Sequence, residues 1–361
     1  MSSLELGKVS IRSYAFEVVK NEIDKRLIPL LDEYKQGGVL DFQDVFRRFS
    51  FDCICRFSFG LDPKCLESSL PISQFALSFD LASKLSAKRA MTTSPIVWKI
   101  KRFFNIGSEK ELREAIKVIN ILAQEVIRQK RKLGFSNHRD LLSRFMGSIS
   151  DETYLRDIVI SFLLAGRDTI ASTLTSFFYV IGNHPEVTKA IREEANRVLG
   201  NEDLTSCEQM SELHYLQACV YESMRLYPPI QFDSKFCLED DYLPDGTFVK
   251  KGTRVTYHPY AMGRMEELWG CDALEFKPQR WLKDGVFVQE NPFKYPVFQG
   301  GLRVCLGKEM ALVELKSVAL SLLRRFHVEL AQPYHHTPRF SPGLTASFNG
   351  GLLVSVREIS P

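Results

Sequence analysis

Apolar residues recur at the three- and four-residue spacing of a helix face over most of the first 200 positions. Ile23, Leu27, Leu30, Leu31 and Tyr34 form one such stripe. Leu112, Ile116, Ile119, Ala123, Val126 and Ile127 form another, in a long charged helix that ends at Gly134. Asp140 to Gly147 predicts a short helix. Ser150-Asp151-Glu152 then supplies a cap and first-turn acids for a long one. Its apolar residues run to Ile181, where Gly182-Asn183-His184-Pro185 stops it. Helices over Glu186 to Leu199 and Ser211 to Tyr227 follow, the second closed by Pro228-Pro229. Between 228 and 300 the pattern changes. Turn pairs surround the alternating Thr247-Phe248-Val249 and Thr253-Arg254-Val255-Thr256-Tyr257, which predict short strands. Leu306 to Phe326 returns to helix, and Leu344 to Val356 predicts a hairpin with Asn349-Gly350 at its turn. There is no internal repeat and no linker-like stretch. The expected fold is one domain, mainly α with a small β-rich part: helical over 1–227 and 304–326, strand-rich over 228–300 and 340–361.

Composition narrows the class. The 361 residues are 45% hydrophobic and 25% charged, which excludes a disordered or collagenous chain. The 47 Lys+Arg against 44 Asp+Glu leave a net charge of +3, which does not favour nucleic acid as a partner. The longest apolar run, Ile158 to Ala165, is interrupted by Ser161 and falls short of the ~20 residues a bilayer needs. No membrane span and no signal peptide are expected. The eight cysteines are sparse and read as reduced thiols. Cys53-x-Cys55 and Cys65 have no histidine nearby, which disfavours a zinc site.

The strongest chemical signal is Phe298-Gln299-Gly300-Gly301-Leu302-Arg303-Val304-Cys305-Leu306-Gly307, a Gly-rich loop with one cysteine just before a helix. The helix dipole and free N–H groups favour a thiolate there and are expected to lower the thiol pKa. Gly301 and Gly307 let backbone approach something flat and bulky. Arg303 can pair with an acidic group, and Phe298 can shield the sulfur from water. The set suits a thiolate that ligates haem iron; for a cysteine alone, the plain alternative is a buried free thiol at a loop–helix junction.

The loop matches Phe-x-x-Gly-x-Arg-x-Cys-x-Gly, and on it the chain resembles the cytochrome P450 family. Three further segments match in order. Ala165-Gly166-Arg167-Asp168-Thr169 lies mid-way along the long helix. Glu222-Ser-Met-Arg225 matches Glu-x-x-Arg, and Phe276-Lys-Pro-Gln-Arg280-Trp281 matches the segment that gives that pair its second arginine. Glu-x-x-Arg also occurs at Glu125/Arg128 and Glu194/Arg197, where an ordinary solvated helix bridge is the plain reading. The resemblance implies a P450 fold and thiolate-ligated haem b, with Cys305 as axial iron ligand. It places Arg303, Phe298, Gly301, Gly307, Ala165 and Gly166 against the haem, and makes Glu222, Arg225 and Arg280 a buried structural network. Thr169 and Asp168 take part in oxygen activation by hydrogen bonding and proton supply. Gly166 leaves room for dioxygen. Thr169 also has a bland role open to it, donating to the carbonyl four residues back.

Phe57-Ser-Phe-Gly-Leu-Asp-Pro63, Leu163 to Thr169, Arg225-Leu-Tyr-Pro-Pro229, Cys305 to Ala311 and the run Ser83 to Trp98 resemble the plant fatty-acid ω-hydroxylases and their jasmonoyl-isoleucine-oxidising branch. The implied reaction is oxygen insertion at a terminal or near-terminal carbon of a fatty acid or oxylipin, using dioxygen and electrons from an NADPH-cytochrome P450 reductase. The resemblance places substrate contacts in Phe75–Lys84, Phe162–Thr169, Ile230–Ser234 and Thr345–Phe348. It implies an endoplasmic-reticulum location on the cytosolic face, and Lys294, Arg303, Lys308 and Lys316 are candidates for a basic reductase patch. Ser2 to Arg12 resembles the stretch just after a helix whose Trp and Arg bind a haem propionate. Neither precedes it, so an N-terminally truncated architecture is expected, with a non-catalytic chain that binds haem poorly as the alternative. A thiol enzyme with Cys305 as nucleophile lacks a base placed by the sequence.

Overall fold

A computed structural model describes residues 9–67, 74–92, 94–134, 139–200, 202, 206–332, 338–341 and 343–359. Residues 2–8 of the N-terminal stretch, Thr93 and the Phe75 side chain lie outside that description.

The first helices are α1 (Val9–Glu22), which passes through a π-turn over Ile23–Leu27, and α2 (Ile28–Asp32). Strand β1 (Gln36–Asp41) interrupts the expected all-helical first half and leads straight into α3 (Phe42–Phe59). Asp41 caps α3 by accepting the Gln43 N–H at 2.9 Å. Helices α4 (Gln74–Ala90), α5 (Pro95–Phe104), α6 (Gly107–Leu133) and α7 (Leu141–Met146) follow.

The predicted long helix is two: α8 (Glu152–Gly166) and α9 (Asp168–Gly182), parted at Arg167. Side-chain hydroxyls bond the backbone on both sides of the break, beside the regular bonds that Arg167 keeps to Leu163 and Ala171. Thr169 Oγ1 donates to the Ala165 carbonyl at 2.6 Å, and Ser50 on α3 donates to the Arg167 carbonyl at 2.9 Å. Together these helices span 31 residues, long and apolar enough to cross a membrane, yet half of the most apolar stretch is buried inside the structure.

Helices α10 (Pro185–Leu199), α11 (Cys207–Ser211) and α12 (His214–Leu226) come next. Glu194 accepts the Tyr215 and Leu216 N–H groups at 2.7 and 2.8 Å, so it ties α10 to the start of α12 and lies 4.0 Å from Arg197. The strand-rich part contains β2 (Asp233–Phe236), paired antiparallel with β5 (Arg254–Tyr257), and the short pair β3 (Asp241–Tyr242) and β4 (Phe248–Val249). Helices α13 (Pro259–Met262) and α14 (Glu266–Trp269) precede the short pair β6 (Leu282–Lys283) and β7 (Val286–Phe287).

After α15 (Lys308–Arg325), strand β8 (Phe326–Leu330) starts at once. The expected C-terminal hairpin does not form. Its two halves, β10 (Ser347–Phe348) and β11 (Leu353–Glu358), enter different sheets: β10 pairs with β9 (Phe340–Ser341), and β11 lies between β1 and β8. Gly350 and Gly351, at φ +92° and +77°, turn the chain away, and the Asp41 carboxylate holds the Leu352 N–H at 2.8 Å. A Cβ on Gly351 would meet that carboxylate at 2.2 Å.

Two apolar clusters form the interior. The larger joins α3, α9, α10, α12 and α15 to the aromatic group Trp269, Trp281 and Tyr295; the smaller joins α1 and the far half of α3 to α6, α7 and α8. On α15, Glu314 points one carboxylate oxygen into the interior with no hydrogen-bond partner, and burial pushes its pKa up to about 8. In the unfolded chain the group ionises near the ordinary carboxylate value, so unfolding releases its proton and stability falls between about pH 4.5 and about pH 8. Glu314→Gln is expected to stabilise the fold by about 2 kcal/mol near pH 7.5 and by little near pH 5. Denaturant midpoints at the two pH values check this, and a pH-independent difference would show that the folded carboxyl is ionised.

Candidate active site

Phe298, Cys305 and the start of α15 form one closed loop. Pro296–Phe298 and Gly301–Arg303 are single 3₁₀ turns, and the Cys305 N–H donates to the Phe298 carbonyl at 2.8 Å. Between them, Gln299 takes a left-handed φ of +63°. Its side chain is held there: Gln299 Nε2 donates to Asp233 on β2 at 3.0 Å, and the Tyr257 hydroxyl on β5 bonds both Gln299 and Asp233. The β2–β5 pair therefore fixes the loop's turn. On the other side, Phe298 packs against Tyr221, which also packs against Trp281, Phe287 and Tyr295.

Cys305 lies on the exposed side of the loop. The backbone N–H groups of Gly307 and Lys308 face its sulfur, as the helix-start reading expects. The direction of the thiol pKa is nonetheless opposite to that expectation. The protein on the inner side of the loop raises it, and the Gly307 N–H, the Lys308 charge and the Lys308 N–H offset this only in part. The surroundings fit haem. Leu302, Val304 and Leu306 expose apolar side chains around a soft sulfur donor. Arg303 is exposed, with no carboxylate partner among the described residues. An apolar disc with anionic edge groups and a metal centre complements each of these features.

Gly301 is exposed at φ +60°, with open space where a Cβ would stand, and Gly307 has open space as well. Ala165 is exposed, while Gly166 and Thr169 are half-buried. Gly166 has a packing role: a Cβ there would come within 2.5 Å of Ile54 on α3, so the glycine lets α8 and α3 approach. Sequence spacing alone assigned that gap to dioxygen.

Asp168 lies beside Arg167, whose guanidinium is 3.5 Å from it and forks onto Asp80 of α4. Arg167 is buried between Phe51 and Phe79, at 5.6 and 5.9 Å from their rings. Burial raises the Asp168 carboxyl above the usual carboxylate range, and the Arg167 charge offsets only part of this.

Glu222 is fully buried. Arg225 binds it with two parallel bonds of 2.8 Å, Arg280 Nε donates at 3.3 Å, the Trp281 indole N–H at 2.9 Å and the Lys277 backbone N–H at 2.9 Å. Arg225 also donates to the carbonyls of Gly263, Ala273 and Glu275, and Arg280 to those of Trp269 and Asp272. The motif assigns only Arg280 of the segment Phe276 to Trp281 to this group; Lys277 and Trp281, inside the same segment, also bind Glu222.

The proposed basic patch is reduced. Lys316 is buried, donates to the Met210 carbonyl at 2.5 Å and to Gln217 at 3.0 Å, and has its pKa lowered to about 8 by burial. Lys294 is paired with Glu290 at 2.8 Å, and Lys308 donates to Gln289 at 2.6 Å. Near Cys53-x-Cys55, burial pushes both thiols up, and no group of three His, Cys, Asp or Glu among the described residues is set to hold a metal ion.

A cavity of about 580 Å³ brings three of the four expected substrate segments together. It is lined by Ser83 and Lys84, by Asp168, and by Thr345 to Phe348. The fourth segment, Ile230–Ser234, is absent from its lining; there Asp233 serves the Cys305 loop instead.

A sequence model of the family "Cytochrome P450" matches residues 6–347. The chain is 58% identical to Cytochrome P450 94C1 of Arabidopsis thaliana, over all of this chain and 74% of that protein. It is 44% identical to Cytochrome P450 94B1 of Arabidopsis thaliana, over 99% of this chain and 72% of that protein. It is 42% identical to Cytochrome P450 94A1 of Vicia sativa, over 99% of this chain and 71% of that protein.

Two substitutions test the site's framework. Glu222→Ala leaves the buried Arg225 guanidinium without its counter-charge, while Arg280 keeps Asp272 at 2.6 Å, and is expected to cost about 3–5 kcal/mol, read as a collapse of the thermal transition; an unchanged Tm would remove the network as a structural anchor. Gly166→Ala is expected to destabilise by about 1–3 kcal/mol, and the added substitution Ile54→Ala to recover part of it. A double-mutant cycle with no coupling would return Gly166 to the role of ligand clearance.

Proposed function

We propose that this chain, which belongs to the cytochrome P450 family, hydroxylates a terminal or near-terminal carbon of a fatty acid or an oxylipin such as jasmonoyl-isoleucine. The family is one of haem-thiolate monooxygenases. The observation that carries the reading is the Cys305 loop: an exposed cysteine faced by two backbone N–H groups, ringed by exposed apolar side chains and preceded two residues upstream by an arginine with no carboxylate partner among the described residues.

Cys305 would ligate the iron, Arg303 would pair with a carboxylate at the haem edge, and Phe298, with Gly301 and Gly307, would shape the side of the loop facing the ring. Ala165 and Gly166 would lie along the opposite side. The bound haem supplies dioxygen activation. In the net reaction a C–H substrate, dioxygen, NADPH and a proton give an alcohol, water and NADP⁺, with both electrons arriving through a reductase.

The chain's own residues manage the proton. Asp168 lines the cavity, where burial holds its carboxyl above the usual carboxylate range, and it would relay a proton there. Thr169 Oγ1 spends its proton on the Ala165 carbonyl, so donation toward the pocket requires a rotation off that carbonyl.

We place the enzyme at the endoplasmic-reticulum membrane. Helix α5 supports this: Ile96, Val97, Ile100, Phe103 and Phe104 are all exposed, with Lys99, Lys101 and Arg102 among them.

The test is the reduced carbon-monoxide difference spectrum of the protein expressed with haem supply. A thiolate-type Soret band is expected, lost in Cys305→Ser while haem content persists. No band in the parent chain would favour the haem-poor alternative, and a band that survives in Cys305→Ser would remove Cys305 as the ligand.

A further inference from the structure

The left-handed backbone at Gln299 sets it apart from the rest of the cysteine loop. Among the described residues, Lys64, Asn105, Asp284 and Gln299 take a φ of this hand without being glycine. Lys64 and Asp284 are exposed, and Asn105 closes α5, where this conformation is ordinary. Gln299 is half-buried and follows Phe298, whose carbonyl takes the Cys305 N–H at 2.8 Å. Glycine would accept a φ of +63° without strain, and the next two residues are glycines. A glutamine in that place needs a reason.

Both ends of its amide supply one. Gln299 Nε2 donates to Asp233 at 3.0 Å, and Gln299 Oε1 accepts the Tyr257 hydroxyl. Asp233 and Tyr257 are direct partners in the antiparallel β2–β5 register, so their side chains stand on one face of that ribbon. The Asp233 carboxylate is itself oriented. One oxygen takes the Ser234 N–H at 2.7 Å; the other takes the Gln299 amide, with the Tyr257 hydroxyl 3.1 Å away and the exposed Lys235 ammonium at 3.4 Å. The φ of Gln299 in turn orients the peptide that carries the Phe298 carbonyl, because that peptide turns about the Gln299 N–Cα bond. A return to the ordinary negative φ would rotate the carbonyl off the Cys305 N–H.

We infer that Asp233, Tyr257 and Gln299 are positioning residues for Cys305. They clamp the chain at Gln299 in the left-handed conformation, which holds the Phe298 carbonyl on the Cys305 N–H and fixes how the loop presents its sulfur. This inference rests on the reading of Cys305 as the iron ligand and deepens it. A glycine would permit the same φ together with many others, whereas the clamped glutamine admits one. The segment Ile230–Ser234 thereby gains a task at the loop in place of the substrate contact expected of it.

The experiment follows the reduced carbon-monoxide difference spectrum of the haem-loaded protein in mild urea and reads the rate at which the thiolate-type band is lost. Asp233→Ala is expected to speed that loss about three- to ten-fold, as removal of a hydrogen-bond anchor should. Gln299→Ala, which keeps the strain and loses the clamp, is expected to do the same. Gln299→Gly is expected to stay near the parent rate, because glycine holds the turn without help. The decisive comparison is Asp233→Ala in the Gln299→Gly background, where it is expected to have no further effect. A ribbon that merely stabilises the fold would give the same effect in both backgrounds. Tyr257→Phe, which keeps the ring, gives the same comparison where Asp233→Ala fails to load haem. Equal effects in both backgrounds overturn the clamp, and the ligand reading stands if Cys305→Ser has lost the band. No thiolate-type band in the parent, or a band that survives in Cys305→Ser, removes the ligand reading and the clamp with it.

Discussion

Glu222 is the constraint on which the strand-rich half hangs. A carboxylate with no exposure receives five hydrogen bonds, from Arg225, Arg280, Trp281 and the Lys277 backbone. A charge so buried is tolerable only when every lone pair is met, and removing one partner costs far more than the pair contributes. The arginines pass the constraint on. Arg225 gathers the carbonyls of Gly263, Ala273 and Glu275, and Arg280 those of Trp269 and Asp272. A segment with little regular structure is thereby held by side chains instead of by a backbone ladder. Gly263 belongs to the same arrangement, because a Cβ there would meet the Arg225 carbonyl at 2.1 Å.

The network reaches the chemistry through aromatic packing. Trp281 packs tilted against Tyr221, the Tyr295 hydroxyl donates to the Tyr221 carbonyl at 3.1 Å, and Tyr221 packs against Phe298 at the head of the cysteine loop. The loop's other tether is the Asp233–Tyr257–Gln299 cluster on the β2–β5 pair. Between the two anchors the sulfur is presented on a turn with exposed apolar neighbours, an arrangement that makes sense only with a flat partner covering it. Burial raises the Cys305 thiol, and ligation of a metal cation would offset that.

On the facing side, the helix break performs two tasks with one set of contacts. Ser50 and Thr169 take carbonyl bonds from the backbone around Arg167. The freed geometry lets Arg167 turn into the interior between Phe51 and Phe79 and reach Asp80 on α4. Asp168 is left at the edge of a cavity with its proton affinity raised, next to the threonine. A helix that ran straight through would place these groups by its own period. The broken one places them by what α3 and α4 offer.

Much of this was legible in the sequence. The helix spans, the cysteine loop and the three ordered motifs rest on local facts: period, caps, glycine positions and residue spacing. These act over a few residues and so survive without knowledge of the fold. The order of the motifs was enough for the family, since no other reading of a phenylalanine, glycines, an arginine and a cysteine at that spacing explained all of them. The tertiary structure decided what depends on distant neighbours. Ile54, more than a hundred positions away, sets the reason for a glycine at 166. Met210 and Gln217 turn Lys316 from a surface cation into a buried one. Strands β1 and β8 take β11 away from the local hairpin that Asn349-Gly350 suggested. Glu194 accepts its hydrogen bonds from the start of α12, with its own Arg197 left at 4.0 Å. In each case the sequence offered a nearby partner, and a distant one prevailed because burial makes an unmet polar group or an unfilled space costlier than a weak solvated contact is worth.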